Sequence, residues 1–205
     1  MMYRCLIANR GEIAVRIIRA CRELNIETVA IYAKGDENSL HVSLADQAIC
    51  IGEANPLDSY LNIDRIISAA KVTESNAIHP GYGFLSESTN FAKAVEDNHI
   101  HFIGPSKTTM EMMGDKITAR QTVKQAGVPV IPGSNDAVQS VDEIKLLAKE
   151  IGFPVVLKAA SGGGGKGIRI VKEASQLDQA LKEAKSEGQK YFNDDRVYVE
   201  AFIPV

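Results

Sequence analysis

The stretch Lys158-Ala-Ala-Ser-Gly-Gly-Gly-Gly-Lys-Gly-Ile168 sets Gly162, Gly163, Gly164 and Gly165 between Lys158 and Lys166, with Gly167 following. Consecutive glycines are costly to order, so a run of them implies a backbone that must come close to something. Backbone N–H groups turned onto an anion, with ammonium groups beside them, make a phosphate cradle. The apolar runs Val155-Val156-Leu157 before it and Ile168-Arg169-Ile170-Val171 after it make the whole a strand–loop–strand hairpin. Strand alternation puts Val156 and Lys158 on one face. The competing reading is a lysine facing solvent, with Lys166 and Arg169 as ordinary loop charges.

Familiar phosphate loops do not account for the pattern. A Walker loop needs Ser or Thr after its Gly-Lys, but Gly165-Lys166 is followed by Gly167 and Ile168, so no magnesium-binding hydroxyl follows. A dinucleotide fingerprint would follow the first strand, but Ala8-Asn9-Arg10-Gly11-Glu12 lacks its glycines. The companion signatures of a protein kinase are absent. What remains is a glycine hairpin that folds over a nucleotide, with a lysine on the preceding strand.

Two further places suit that ligand. In Met113-Gly114-Asp115-Lys116 a lysine opens a helix, where an anion would also meet the helix N-terminus. The terminal strand, read as Val197–Ile203, carries Glu200 followed by Ala201, Phe202 and Ile203. A carboxylate can accept a hydrogen bond from an adenine amino group while apolar side chains hold the ring. Taken alone, Lys116 reads as a solvated surface lysine and Glu200 as an edge-strand glutamate facing water.

The elements that must position these residues follow from periodicity. Residues 3–8, 28–32, 48–51, 77–79 and 101–103 read as strands, separated by helical segments at 12–24, after a Ser59 cap, and around 91–95. Strands alternating with helices predict a parallel, Rossmann-like α/β sheet with ligands at its carboxyl edge. After Gly104 the order changes. Helices are predicted over 106–113 and 116–126 (Asp115 capping the second), and from a Ser140/Glu143 capping box to Glu150. The hairpin, a helix over 175–187 and the last strand complete a small α+β subdomain. The divisions expected are 1–114 for the parallel domain, 115–134 for a helical linker and 135–205 for the subdomain with the glycine loop.

Bulk properties exclude several classes. Among 205 residues, a net charge of −3 argues against a general nucleic-acid or membrane surface. No run approaches the roughly 20 apolar residues of a membrane helix, and Arg4, Arg10 and Glu12 interrupt any signal-peptide pattern. Cys5, Cys21 and Cys50 are odd in number and far apart, read as buried reduced thiols in a cytoplasmic protein.

These pieces together resemble the amino-terminal part of a biotin carboxylase, a member of the ATP-grasp superfamily. The stretches that carry the likeness are Ile7-Ala8-Asn9-Arg10-Gly11-Glu12-Ile13-Ala14, Ser59-Tyr60-Leu61-Asn62, His79-Pro80-Gly81-Tyr82-Gly83-Phe84-Leu85-Ser86-Glu87, Phe102-Ile103-Gly104-Pro105, Met113-Gly114-Asp115-Lys116 and the glycine loop. The resemblance implies a pre-ATP-grasp domain followed by an ATP-grasp lid. It implies ATP-dependent activation of bicarbonate to carboxyphosphate and carboxylation of biotin on a biotin carboxyl carrier protein. Lys116 and Lys158 would contact ATP phosphates, Gly162 to Gly167 with Lys166 would close over them, and Glu200 with residues 201–203 would hold adenine. Where the family commonly has a basic residue after that glutamate, this chain has Ala201.

The magnesium ligands, the bicarbonate and biotin contacts and the other wall of the adenine pocket are expected beyond Val205. No catalytic residue is therefore assigned within the chain, which is expected to be an inactive fragment. Carboxyltransferase subunits are implied partners, and Arg16, Arg19 and Glu23 on the 12–24 helix could serve a homodimer. An acetyl-CoA carboxylase subunit, in fatty acid biosynthesis, is the preferred setting. Pyruvate, propionyl-CoA or urea carboxylase modules and a non-catalytic nucleotide-binding or dimerisation module are the alternatives. A nicotinamide-dependent oxidoreductase is disfavoured by the missing fingerprint.

Overall fold

A computed structural model describes residues 3–161 and 167–204. The chain divides into two compact units, Met1–Met110 and Glu111–Val205.

In the first unit, β1 (Arg4–Ile7), β2 (Glu27–Ala33), β3 (Gln47–Gly52), β4 (Ala77–His79) and β5 (His101–Phe102) form a sheet ordered β3-β2-β1-β4-β5. Every pairing is parallel. The crossovers include α1 (Gly11–Glu23), α2 (Leu40–Leu44), α3 (Ile63–Val72) and α4 (Thr89–Asp97). Strand alternation divides the apolar side chains between two faces. Leu6, Val29, Ile31 and Ile78 pack with Ile66 of α3 and with Phe91 and Val95 of α4. Cys5, Ile7 and Ala77 pack with Ile17, Ile18 and Cys21 of α1. Because β1 lies between β2 and β4, the winding reverses there, and the loops leaving β1 and β4 open at the switch point.

The second unit begins within α5 (Lys107–Gly114) and continues through α6 (Lys116–Gln125), α7 (Val141–Ile151), β6 (Val155–Ala159), β7 (Ile168–Val171), α8 (Leu177–Phe192) and β8 (Val197–Ala201). Its three strands form an antiparallel sheet ordered β7-β6-β8. One face, carrying Val155, Leu157, Val171, Val197 and Val199, packs on Ile144 of α7 and on Leu177, Leu181 and Ala184 of α8. The parallel α/β sheet and the smaller α+β unit are the architecture expected from sequence.

Several local expectations are corrected. Helix α3 is capped by Asn62, whose side chain accepts from Arg65 N at 3.1 Å. Ser59 is instead buried, donating to the Asn55 carbonyl at 2.9 Å. The Ser140 hydroxyl does accept from Glu143 N at 3.2 Å, but the Glu143 carboxylate returns to Gln139 N, one residue earlier than a standard box. Cys5 and Cys21 are buried, whereas Cys50 is exposed because β3 is the sheet edge. Strand β8 stops at Ala201 rather than Ile203. Its partner strand is preceded by Pro154, which has no N–H to continue the ladder and only accepts from Phe202 N. Helix α8 runs five residues past the expected Glu187, to Phe192, and ends on Asn193 in the left-handed conformation.

His41 is buried, with Nε2 3.2 Å from the Ile31 carbonyl and no partner at Nδ1. Burial holds its imidazole below the ordinary histidine value, against opposing contributions from the Ile31 carbonyl and Asp36; Arg10 adds to the lowering. Burial lowers His79 as well. A histidine that resists protonation only when folded leaves stability intact above its unfolded pKa of about 6.5 and erodes it below, where the unfolded chain takes up the proton. The urea midpoint of the first unit is therefore expected to fall between about pH 7.5 and about pH 5.5, with His41→Gln flattening the fall. A midpoint constant across that window would contradict this assignment.

Candidate functional site

The face of the small sheet opposite α7 and α8 carries the chemistry. Antiparallel register places Lys158 across from Tyr198 and Ile168, and Val156 across from Glu200 and Ile170. All six side chains share one face by alternation. Ile168 and Ile170 are exposed, and Val156 and Tyr198 are buried. Tyr198 packs with Ile117 of α6 and with Ala160. Burial, reinforced by the nearby Glu200 charge, pushes its phenol up to about 12.

Glu200 is the centre of this face. Its carboxylate accepts from Arg120 at 2.8 Å through Oε1 and from Lys158 at 2.5 Å through Oε2. The second fork of Arg120 donates to the Ile131 carbonyl. Glu200 also bridges to Gly133, where an added Cβ would lie 2.2 Å from the Val199 carbonyl oxygen. That close approach lets residues 133–138 run along β8, with Ser134 N donating to Val199 O and Val138 N to Val197 O. An ionised carboxylate has acceptor sites left after two such bonds. Glu200 can therefore still receive an amino group.

Lys116 is the first residue of α6, whose N-cap Asp115 accepts from Thr118 N at 2.8 Å. The Lys116 N–H donates to Ala160 O at 3.3 Å, tying the start of α6 to the end of β6. The helix N-terminus and both lysines therefore belong to one bonded framework. Arg196 strengthens it, reaching Asp115 and Asp194 at 2.7 Å each, while Asp194 accepts from the Ser161 hydroxyl at 2.5 Å. The Arg196 guanidinium holds the Asp194 carboxyl down near 2.

Gly162, Gly163, Gly164, Gly165 and Lys166 lie outside the described residues. Gly167 has φ +72° and would set a Cβ 2.8 Å from that of Ala159, so glycine is required both by conformation and by space. Its N–H donates to Glu187 at 2.9 Å, and Arg169 bonds both Glu183 and Glu187. Ala201 N donates to Pro132 O and Phe202 N to Pro154 O, while Ile203 is exposed.

Sequence reasoning passed over Arg120, Arg196 and Asp194. Arg120 did carry a signal, since it lies four residues after Lys116 and so on the same helix face. Among the described residues no group of three or more His, Cys, Asp and Glu side chains could hold a metal ion.

In the first unit the two motifs nearest the sheet's switch point meet. Asn9 Nδ2, after β1, donates to the carbonyls of Pro80 and Tyr82, after β4, at 2.8 Å each. Gly81, at φ +67°, would place a Cβ 2.8 Å from that amide. Arg10 lies over the stacked rings of Tyr60 and Phe84 and pairs with Asp36 at 3.2 Å. The His79–Glu87 stretch is thus a loop fastened to the end of β1, beside a cleft of about 360 Å³ lined by Arg10, Tyr82 and Phe84.

A lysine-bearing antiparallel sheet joined to a helix that opens on a second lysine is a frame suited to an anionic ligand. Residues 115–204 match the family described as Carbamoyl-phosphate synthase L chain, ATP binding domain. Residues 1–110, more than half the chain, match Biotin carboxylase, N-terminal domain. The chain belongs to the biotin carboxylase family.

It is 52% identical over 203 residues to Biotin carboxylase 1 of Bacillus subtilis, covering 99% of this chain and 45% of that protein. It is 51% identical over 201 residues to pyruvate carboxylase of Staphylococcus aureus, covering 98% of this chain and 18% of that one. A crystal structure of the Campylobacter jejuni biotin carboxylase in complex with beta-gamma-ATP superposes with a TM-score of 0.94 at 47% identity, over 100% of this chain and 46% of its own. The biotin carboxylase domain dimer of Hydrogenobacter thermophilus 2-oxoglutarate carboxylase, in complex with MgADP, ADP and bicarbonate, gives 0.89 at 48% identity, over 99% and 45%. The chain spans less than half the length of these relatives. No helix among the described residues is long and apolar enough to cross a membrane.

Proposed function

We propose that this chain is the nucleotide-binding amino-terminal part of an ATP-dependent ligase that uses bicarbonate to carboxylate biotin on a carrier protein. The observation that carries the reading is the bonded framework of Lys158, Glu200 and the start of α6 on the face of the small sheet opposite α7 and α8. Lys158 and Lys116 bind phosphate oxygens, with Gly162–Gly167 and Lys166 over them. Glu200 accepts from the adenine amino group, and the backbone of 201–203 takes the base edge that a basic residue after Glu200 would otherwise help to hold. Exposed Ile168 and Ile170 offer the ring an apolar surface. Phosphoryl transfer needs chiefly positioning and neutralised charge, which these groups supply.

Magnesium would be held by carboxylates outside the residues named here together with the phosphates of the nucleotide. Carboxyltransferase subunits are the partners that pass the carboxyl group from biotin to its final acceptor. An acetyl-CoA carboxylase setting in the cytoplasm is preferred over pyruvate, propionyl-CoA and urea carboxylases. Self-association through α1 fits a cleft of about 730 Å³ lined by Arg16, Arg19 and Glu23.

This chain, which spans less than half the length of its relatives, is expected to bind ATP only weakly by itself, far from micromolar affinity. It is expected to release no ADP in the presence of bicarbonate and biotin. Calorimetry and an ADP-release assay check both. Bicarbonate-dependent turnover, or micromolar affinity, would defeat the inactive-fragment reading, and no ATP response at millimolar concentration would defeat the nucleotide site. Sedimentation of the same sample showing only monomer would remove the α1 contact.

A further inference from the structure

Glu200 holds two cations, although one suffices to neutralise a carboxylate. The two differ in what else fixes them. Arg120 is nearly buried, with 9% of its side chain exposed, and spends its second fork on the Ile131 carbonyl. Its planar guanidinium is locked between these two acceptors. Lys158 is 28% exposed and reaches Glu200 through a flexible four-carbon stem.

Register shows which way that stem leans. The residue directly across from Lys158 is Tyr198, whereas Glu200 lies across from Val156, two residues back along β6. Lys158 thus leans away from the hairpin end of its strand to make the diagonal contact. Rotation the other way carries the ammonium toward the carboxyl end of β6, at Ala159. Such a move would be prohibitive if it stranded Glu200, whose residue exposure is 7%, because a buried carboxylate without a partner is strongly destabilising.

We infer that Arg120 is a positioning residue that permanently neutralises Glu200, so that Lys158 can leave the carboxylate for a phosphate anion. The inference rests on the reading of Lys158 as a phosphate ligand. It also explains the sum of charges, since Arg120 and Lys158 against Glu200 leave one positive charge on an otherwise apolar face. An anion arriving at the more exposed cation relieves the repulsion between the two. In a static ion triad both cations would be needed to hold the fold and neither would transfer.

Two measurements on the intact chain test this. The first is a ligand-free melting cycle. Lys158→Met is expected to lower the melting temperature of the second unit by no more than about 3 °C, because Arg120 still satisfies Glu200. Arg120→Met with Lys158→Met should lose more than the two single losses summed, and adding Glu200→Gln should restore most of it. If Lys158→Met alone destabilises as much as the pair, Lys158 is a fixed counter-ion and the inference is overturned.

The second follows the ¹³C-methylated Lys158 amine by NMR, assigned with Lys158→Arg, during titration with inorganic pyrophosphate and then ATP. Arg120→Met should need at least about tenfold more pyrophosphate for the same shift, while Arg120→Met/Glu200→Gln should return to within about threefold of the parent chain. Arg120→Lys, which keeps charge but not the fork, should fall between them. An Arg120→Met chain that responds like the parent, or a double variant as weak as the single one, overturns the inference. A parent chain whose Lys158 ignores both anions refutes the phosphate assignment itself, and the melting cycle still decides whether Arg120 suffices for Glu200.

Discussion

A Glu200→Ala chain is expected to lose about 3–5 kcal/mol of stability in its second unit, the range found when one member of a buried ion pair is removed. The cost comes mainly from Arg120. Its guanidinium is as buried as the carboxylate it faces, at 9% side-chain exposure each, and its remaining partner is the neutral Ile131 carbonyl. Lys158 is more exposed and can turn toward water. Glu200→Gln is expected to cost less, because the amide oxygen can still accept from Arg120. Urea denaturation followed by β6 and β8 amide exchange reads both variants, and a Glu200→Ala loss below about 1 kcal/mol would show the pair to be solvated.

The second large effect falls in the first unit. Phe91→Ala is expected to cost about 3–5 kcal/mol, the usual range for deleting a buried aromatic ring. Phe91 is fully buried on α4 and meets Phe102 edge to face, with centroids 5.9 Å apart and planes at 87°. Ser88 caps that helix by accepting from Phe91 N at 3.2 Å, so ring and backbone are held together. Leu85 and Phe84 pack on the same cluster. Loss of the ring should therefore loosen the 80–88 loop and raise its protease sensitivity. The second unit has its own core and should melt unchanged. A loss under about 1 kcal/mol would mean that α4 closes over the cavity.

Much of the fold was legible because it is encoded locally. Short apolar runs marked the strands, and Asp115 and Ser140 capped the helices they were expected to cap. Where that reading failed, a competing hydrogen bond or the strand order had decided. Ser59 carries the right side chain for a cap, but its hydroxyl is buried against Asn55, and Asn62 serves instead. Cys50 sits in an apolar run, yet β3 turned out to be an edge, a property of strand order rather than composition.

The same division runs through the site. The sequence by itself determined the strands on either side of the glycine run, the lysine on the first of them and the lysine at a helix start, since strand alternation and capping act within a few residues. Only tertiary structure decided that Glu200 is held by Arg120, 80 residues earlier, and by Lys158, 42 residues earlier. Those pairings depend on the β6/β8 register and on the packing of Ile117 against Tyr198. Register and packing minimise the free energy of the whole unit, and no local pattern states them. The physical reason is burial: an isolated glutamate would face water, whereas one enclosed between a sheet and a helix must find its counter-charge wherever the fold delivers it.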